Sequence, residues 1–326
     1  MKISVIGAGA WGTALAILLT RDSEHVVTLW GHDATRLNEM KSTRRNAYLP
    51  GIELPSQLQL ESDLSAALAA AEVVVVAVPS KAFREVTTAL VKFSGIIVSV
   101  TKGIEHETGL TMCGILNQTA PHAKLAALSG PSLALEVARG IPTAIVAASE
   151  DATVAAKVQE LFHRPTFRVY TSTDLLGVEL GGALKNVIAI AAGVCDGLGF
   201  GDNSKASLVT RAITEMRRLG VACGAQAETF SGLSGIGDLM VTCFSKLSRN
   251  RGFGERVGRG EKPEAVLASM NSVAEGYPTA RSAAELARKL NVSTPIIDEV
   301  RAMLYDGKNV RQALQDLTQR ETKAED

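Results

Sequence analysis

The chain has 326 residues and equal numbers of basic and acidic side chains, 34 of each, so its formal net charge is zero and neither nucleic acid nor an anionic membrane is called for as partner. With 46% hydrophobic and 21% charged residues it can bury a substantial core, which excludes a disordered chain, and its length suggests two domains. The first element is a strand over residues 2–6, with Ile3, Val5 and Ile6 suited to a buried sheet. Gly7-Ala8-Gly9-Ala10-Trp11-Gly12 follows and leads into an apolar helix over 13–19. In that strand-to-helix setting each glycine has a role: Gly7 for the tight turn, Gly9 for approach of the backbone to a pyrophosphate, Gly12 for close packing of helix on sheet. The free N–H groups at the helix start then favour an anion.

A second strand covers 25–30. A ribose-binding acid is expected near its end, where the chain reads Gly31-His32-Asp33 and then Arg36. Gly31 leaves space where a carboxylate often selects NAD; His32 and Arg36 suit a 2′-phosphate, and Asp33 keeps NAD open, so the balance leans to NADP. Asn46 to Gly51 is a loop with a Pro-Gly pair. A helix over 62–71 is expected to be capped by Ser62. The run Val73 to Val78 is a central parallel strand, ending at Pro79-Ser80 before a helix over 81–92. A strand over 96–100 ends at Thr101-Lys102-Gly103, which places Lys102 beyond a carboxyl end, where ligands bind in open α/β sheets. A strand over 125–129, Gly130-Pro131-Ser132, a helix to Arg139, a strand over 143–148, a helix over 151–162 and a strand over 166–170 continue the alternation. The natural fold is a doubly wound α/β sheet.

The pattern changes near Asp174. Residues 174–194 read as one buried helix rich in Gly and Ala, with Glu179, Lys185 and Asn186 as its strongly polar side chains. Lysine is rarely buried without a partner or a function, and desolvation favours the neutral amine, so Lys185 is either an acid–base group or one half of a pair with Glu179 or a carboxylate of another helix. A glycine-dense loop covers 196–203 and an amphipathic helix 204–219. Asp238 follows a mobile glycine run, and Ser248-Arg249-Asn250-Arg251 is a donor set fit for a phosphate monoester, or a capped helix start with solvated arginines. Glu275 to Pro278 is a turn. Helices over 279–290 and 295–305 complete an all-helical second half, and the polar tail from Thr318 is expected to fray. Cys113, Cys195, Cys223 and Cys243 show no metal spacing and read as reduced thiols of a cytoplasmic protein. There is no signal peptide, and the longest apolar run, near 187–195, is too short to span a bilayer.

These motifs together resemble the bacterial NAD(P)-dependent glycerol-3-phosphate dehydrogenases over nearly the whole chain: the glycine fingerprint, Thr101-Lys102-Gly103, Ser129-Gly130-Pro131-Ser132, Gly181 to Val187, Gly235 to Leu239, Ser248 to Arg251 and Val273 to Gly276. The resemblance implies a Rossmann-like dinucleotide-binding domain over 1–180 and a helical substrate domain over 181–326, with catalysis in the cleft between them. It implies interconversion of sn-glycerol 3-phosphate and dihydroxyacetone phosphate with NAD or NADP, without metal, for phospholipid synthesis, and a homodimer. By the same resemblance Lys185 is catalytic; Lys102, Gly130, Ser132, Asp238, Ser248, Arg249 and Asn250 meet substrate. Gly7, Gly9, Ala10, Trp11, Gly12, His32, Lys102, Ala134, Arg249 and Glu275 meet the cofactor. The chain departs from its relatives at Ala10, often serine, and at Phe244-Ser245-Lys246-Leu247, often more polar. The rival readings are a β-hydroxyacid or 6-phosphogluconate dehydrogenase-like enzyme, which must recognise a carboxylate, and a non-catalytic nicotinamide sensor, for which a lysine in an apolar helix has no purpose.

Overall fold

The computed structural model describes residues 1–22, 24–270 and 273–319; the tail expected to fray lies, from residue 320 on, outside the described residues. The chain divides into two compact units, Met1–Lys102 with Leu110–Glu179, and Gly103–Gly109 with the residues from Leu180 onward.

The first unit is a single sheet with helices. Its elements are β1 (Lys2–Ile6), α1 (Ala10–Leu19), β2 (Val26–Trp30), α2 (Ala34–Thr43), β3 (Gln59–Glu61), α3 (Leu64–Leu68), β4 (Val73–Val76), α4 (Ser80–Thr87), β5 (Ile96–Ser99), α5 (Met112–Thr119), β6 (Lys124–Ser129), α6 (Ala134–Ala138), β7 (Thr143–Ala148), α7 (Ala152–Phe162) and β8 (Phe167–Ser172). The strand order is β3-β2-β1-β4-β5-β6-β7-β8. Every pairing is parallel except β6 with β7. β1 lies between β2 and β4, Val5 facing Leu29 on one side and Val75 on the other, all three fully buried. This explains why β1 and β4 read as unbroken apolar runs: both faces are covered.

Several expectations are corrected. The helix after β3 is shorter than 62–71 and is capped by Asp63, whose carboxylate accepts from Ser65 N at 2.8 Å, not by Ser62. β3 is only three residues long, too short for an alternating pattern to register. α5 went unread because Met112 to Thr119 mixes apolar and polar residues without charged flanks; its start is fixed from outside. Glu179 accepts from Thr111 Oγ1 at 2.7 Å and from Cys113 N at 2.9 Å, closing the first turn of α5 with a buried carboxylate. Glu179 is therefore not the partner of Lys185.

Burial raises the Glu179 carboxyl above its ordinary value of 4.5, against these hydrogen bonds. The native state then holds this proton to higher pH than the unfolded chain does. The contribution is full below pH 4.5 and is lost as pH rises through the folded value. Urea unfolding of Glu179→Gln is expected to show a flatter rise or fall of stability across this acid window than the unaltered chain; identical slopes would contradict the assignment.

The second unit is helical: the greater part of α8 (Leu175–Gly197), then α9 (Asp202–Ala222), α10 (Asp238–Phe244), α11 (Arg249–Gly258), α12 (Pro263–Ser269), α13 (Gly276–Lys289), α14 (Pro295–Tyr305) and α15 (Val310–Thr318). α8 is long and apolar enough to cross a membrane, but it is almost wholly buried in the fold, as a core helix is. The predicted loop over 196–203 shrinks to four residues, because α8 runs on through Gly197 and α9 starts at Asp202. Gly276 and Tyr277, read as a turn, open α13, with Pro278 in its first turn, where a missing N–H costs nothing.

α8 and α11 touch backbone to backbone. A Cβ at Gly193 would lie 2.0 Å from the Arg251 carbonyl oxygen, and one at Gly197 2.3 Å from that of Glu255. From the other side, a Cβ at Gly254 would lie 2.0 Å from the Ile190 oxygen and one at Gly258 2.6 Å from that of Val194. The Gly/Ala richness of α8 is thus a packing seam, with glycines four apart on both helices. On α9, Glu215 is buried and accepts from Ile296 N at 2.9 Å, which closes the start of α14.

Candidate active site

In the first unit, the turn from β1 into α1 carries the predicted glycines. Gly7 has φ +125°, and a Cβ there would strike the Ala77 carbonyl oxygen at 2.6 Å. A Cβ at Gly12, inside α1, would strike the Gly7 oxygen at 2.0 Å. Gly9 differs: a Cβ there would meet nothing within 4 Å. Protein packing does not demand glycine at that position, and the space suits a ligand. Gly9 is also the N-cap of α1, it supplies no side-chain cap, and the first turn, with Ala10 and Trp11, carries no acid, so no side chain there would oppose an anion. Gly9→Ala is expected to leave thermal stability within about 1 °C while weakening dinucleotide binding at least about tenfold; an equal Gly12→Ala comparison should instead unfold the unit.

At the end of β2, Gly31 does not leave space as expected. A Cβ there would stand 2.9 Å from that of Ala8, so glycine is required by the neighbouring turn. Asp33 caps α2, accepting from Arg36 N at 3.0 Å, which lowers its pKa. The Arg36 guanidinium lies 4.5 Å from the Tyr48 ring centroid and 3.9 Å from the Asp33 carboxylate. His32 is exposed. Asp33 is therefore partly committed to its helix, whereas His32 and Arg36 stand on either side of it in the chain.

Beyond β5 and β6, the structure brings together three predicted residues. Lys102 Nζ donates to the Gly130 carbonyl at 3.3 Å, and Ser132 Oγ donates to the same oxygen at 2.8 Å. Gly130 takes φ +143°, and Ala134 opens α6 just after. Thr101 Oγ1 donates to Val78 O at 2.7 Å, tying this turn to the end of β4.

In the second unit, Lys185 is buried at 7% exposure and is held from α10. Its ammonium pairs with Asp238, which is fully buried, and donates to Thr242 Oγ1 at 2.7 Å. The Thr242 hydroxyl in turn donates to the Asp238 carbonyl at 2.6 Å. Of the two readings of Lys185, the structure shows the ion pair, with a carboxylate of another helix. Asp238 does not follow a mobile run: Leu233–Gly237 form a helical turn of wide pitch that continues into α10. A Cβ at Gly181 would lie 2.5 Å from the Ser234 oxygen, so that turn rests on α8 one turn before Lys185. Thr242 was missed by sequence reasoning; its signal was its place four residues after Asp238, on one helix face.

Ser248 is the N-cap of α11, accepting from Arg251 N at 3.2 Å, so its capping reading holds. Asn250 is buried: its oxygen accepts from Gly276 N at 2.9 Å and one Nδ2 proton goes to Asn186 Oδ1 at 2.9 Å. Among the described residues, no acceptor meets its second Nδ2 proton. Asn186, next to Lys185, thereby links that turn of α8 to α11. Arg249 opens α11 and is exposed, although surrounding protein lowers its pKa by desolvation against the nearby Glu275. It stays cationic throughout. Arg251 is not solvated; it pairs with Asp196 at 2.6 Å and Glu255 at 3.3 Å.

The predicted residues thus fall into a nucleotide-type cradle with Lys102 in one unit and a buried lysine with a phosphate-type edge in the other. Comparison with known proteins identifies the family. The family model for the NAD-dependent glycerol-3-phosphate dehydrogenase N-terminus matches residues 2–155, and that for the C-terminus residues 174–315. A glycerol-3-phosphate dehydrogenase [NAD(P)+] of Citrifermentans bemidjiense is 49% identical over 331 residues, covering 99% of this chain and 98% of its own. That of Syntrophotalea carbinolica is 48% identical over 333 residues, covering 100% and 99%. The crystal structure of glycerol-3-phosphate dehydrogenase from Coxiella burnetii superposes with TM-score 0.94 at 36% identity, over 98% of this chain and 99% of that one. A ketopantoate reductase from Ralstonia eutropha shares the fold alone, with TM-score 0.63 at 16% identity over 98% and 100%. With both parts matched in order and relatives nearly half identical along the whole length, the chain belongs to the NAD-dependent glycerol-3-phosphate dehydrogenase family.

Proposed function

We propose that this chain interconverts sn-glycerol 3-phosphate and dihydroxyacetone phosphate by hydride transfer with NAD or NADP, with Lys185 as general acid and base. What supports the role of Lys185 is the family match over its helix, together with a pairing to Asp238 and Thr242 that holds a buried ammonium in one orientation. The bound dinucleotide supplies or takes up the hydride at C2 of the substrate; Gly7, Gly9, Ala10, Trp11 and Gly12 are assigned to its pyrophosphate, and Ala134, Arg249 and Glu275 to its further contacts. In ketone reduction, negative charge grows on the C2 oxygen. The Lys185 ammonium stabilises that oxygen and donates its proton; in alcohol oxidation the neutral amine removes the proton. Asp238 and Thr242 act through Lys185, fixing the direction of its N–H groups. Lys102, steadied on Gly130 beside Ser132, supplies a second cation to the substrate.

Arg249, the Ser248 edge and the remaining Nδ2 proton of Asn250 are assigned to the phosphate, so binding energy there orients C2. At saturating NADPH, which offsets any weakening of its cofactor contact, Arg249→Ala is expected to raise KM for dihydroxyacetone phosphate about 30-fold or more, the loss of a charge-assisted contact, and to leave kcat/KM for unphosphorylated dihydroxyacetone unchanged. Equal loss with both compounds would remove Arg249 from the phosphate.

NADP is the assigned preference, which three features support: Gly31 admits no carboxylate beside Ala8, Asp33 caps α2, and His32 and Arg36 follow the end of β2. Parallel oxidation of NADPH and NADH with dihydroxyacetone phosphate tests both claims. Turnover establishes the reaction, and a higher kcat/KM for NADH would reverse the preference. The proposed setting is a cytoplasmic homodimer supplying glycerol 3-phosphate for phospholipids, the assembly being checked by analytical ultracentrifugation.

A further inference from the structure

Three helix ends of the second unit converge on one carboxylate. Asp196 stands in the last turn of α8, Lys205 in the first turn of α9 and Arg251 in the first turn of α11. Lys205 Nζ is 2.5 Å from one Asp196 oxygen, and Arg251 Nε is 2.6 Å from the other, a charge contact without hydrogen-bond alignment. None of the three side chains is more than 14% exposed. Each charge lies at the end of its own helix that the macrodipole disfavours: an anion at a C-terminus, cations at two N-termini. Helices placed for stability alone carry the opposite signs, and a local rule broken at three points together is the mark of a functional constraint.

The arrangement bears directly on α11. Arg251 follows Asn250 and lies in the same turn as Arg249, so whatever holds Arg251 also sets the seat of both. Lys205 is covered in turn by Phe244, whose ring centroid is 5.2 Å from Nζ. Phe244 ends α10, the helix of Asp238 and Thr242. Between Thr242 and Phe244, the buried Cys243 lies in the field of both ion pairs, Lys185–Asp238 and Lys205–Asp196; burial pushes its thiol up to about 12. The second lysine pair therefore stands beside the first.

We propose that Lys205 is a positioning residue for the phosphate end of the substrate: through Asp196 and Arg251 it fixes the turn that carries Arg249 and Asn250, and the Phe244 ring shields it from water. This rests on the assignment of Arg249 to phosphate and of Lys185 to the reacting oxygen. Lys205 itself touches no substrate.

The test is steady-state reduction of dihydroxyacetone phosphate and of dihydroxyacetone, at saturating NADPH, by the unaltered chain, Lys205→Gln, Lys205→Arg and Phe244→Ala. Lys205→Gln is expected to raise KM for dihydroxyacetone phosphate about tenfold with kcat within about threefold, and to leave kcat/KM for dihydroxyacetone alone. Lys205→Arg, which can still meet Asp196, is expected to restore KM to within about twofold. Phe244→Ala, at an exposed position that tolerates truncation, is expected to raise KM about two- to threefold. An unchanged KM in Lys205→Gln, or an equal loss with both substrates, overturns the proposal. If Lys205→Gln does not fold, Phe244→Ala decides: a raised KM supports the proposal and an unchanged one overturns it. Absence of dihydroxyacetone phosphate turnover in the unaltered chain overturns the underlying reading as well, whereas intact turnover with an unmoved KM overturns this inference alone.

Discussion

Lys185→Ala is expected to lower kcat for dihydroxyacetone phosphate reduction about 10³-fold, the range lost with a general acid that also stabilises a developing oxyanion. NADPH affinity should hold within about twofold, because the cradle of Gly7, Gly9 and Gly12 belongs to the other unit and makes no use of Lys185. The same variant should be less stable by about 3 kcal/mol, since Asp238 is left as a fully buried carboxylate without its cation. The two losses separate in the double variant Lys185→Ala with Asp238→Asn. Removing the orphaned charge should return most of the stability, measured by urea unfolding, and none of the turnover. Recovery of turnover in that variant, or wild-type turnover in the single one, would take Lys185 out of the mechanism.

The second large effect concerns a residue without any chemistry. Gly193→Ala places a methyl group 2.0 Å from the Arg251 carbonyl oxygen, a backbone atom that cannot swing aside. α8 and α11 must separate, and the expected cost is at least about 3 kcal/mol, at the upper end for overpacking. What folds should also bind the phosphorylated substrate poorly, because the helix being displaced carries Ser248, Arg249 and Asn250 at its start. Gly252→Ala is the control on the same helix. A Cβ there meets nothing within 4 Å, and alanine in place of a helical glycine should stabilise by about 0.5–1 kcal/mol. Equal effects of the two substitutions would show that the seam between α8 and α11 is not close-packed.

The contrast between Gly193 and Gly252 shows where reading the sequence stops. Both are glycines in helical stretches, and nothing local distinguishes the one pressed against a carbonyl from the one facing open space. Gly31 is a similar case: it read as vacancy for a cofactor, and its reason is the Cβ of Ala8. Ser62 and Asp63 are adjacent cap formers of similar strength, and only the path of the backbone chose Asp63.

From the residues alone came the features whose cause is local in the chain. The glycines between an apolar strand and an apolar helix determine an anion-binding turn, because turn geometry and helix N–H groups follow from a dozen consecutive residues. The β-branched runs determine a buried parallel sheet, and a single lysine in an apolar helix marks itself out by its desolvation cost. Tertiary structure alone decided which carboxylate meets that lysine. Glu179, six residues away on the same helix, closes the start of α5, while Asp238, 53 residues away, reaches Lys185. The same holds for the Asp196 link between Lys205 and Arg251. Such pairings depend on how far one helix backbone approaches another, a distance set by glycines on both sides of the seam and written in no single stretch of the chain.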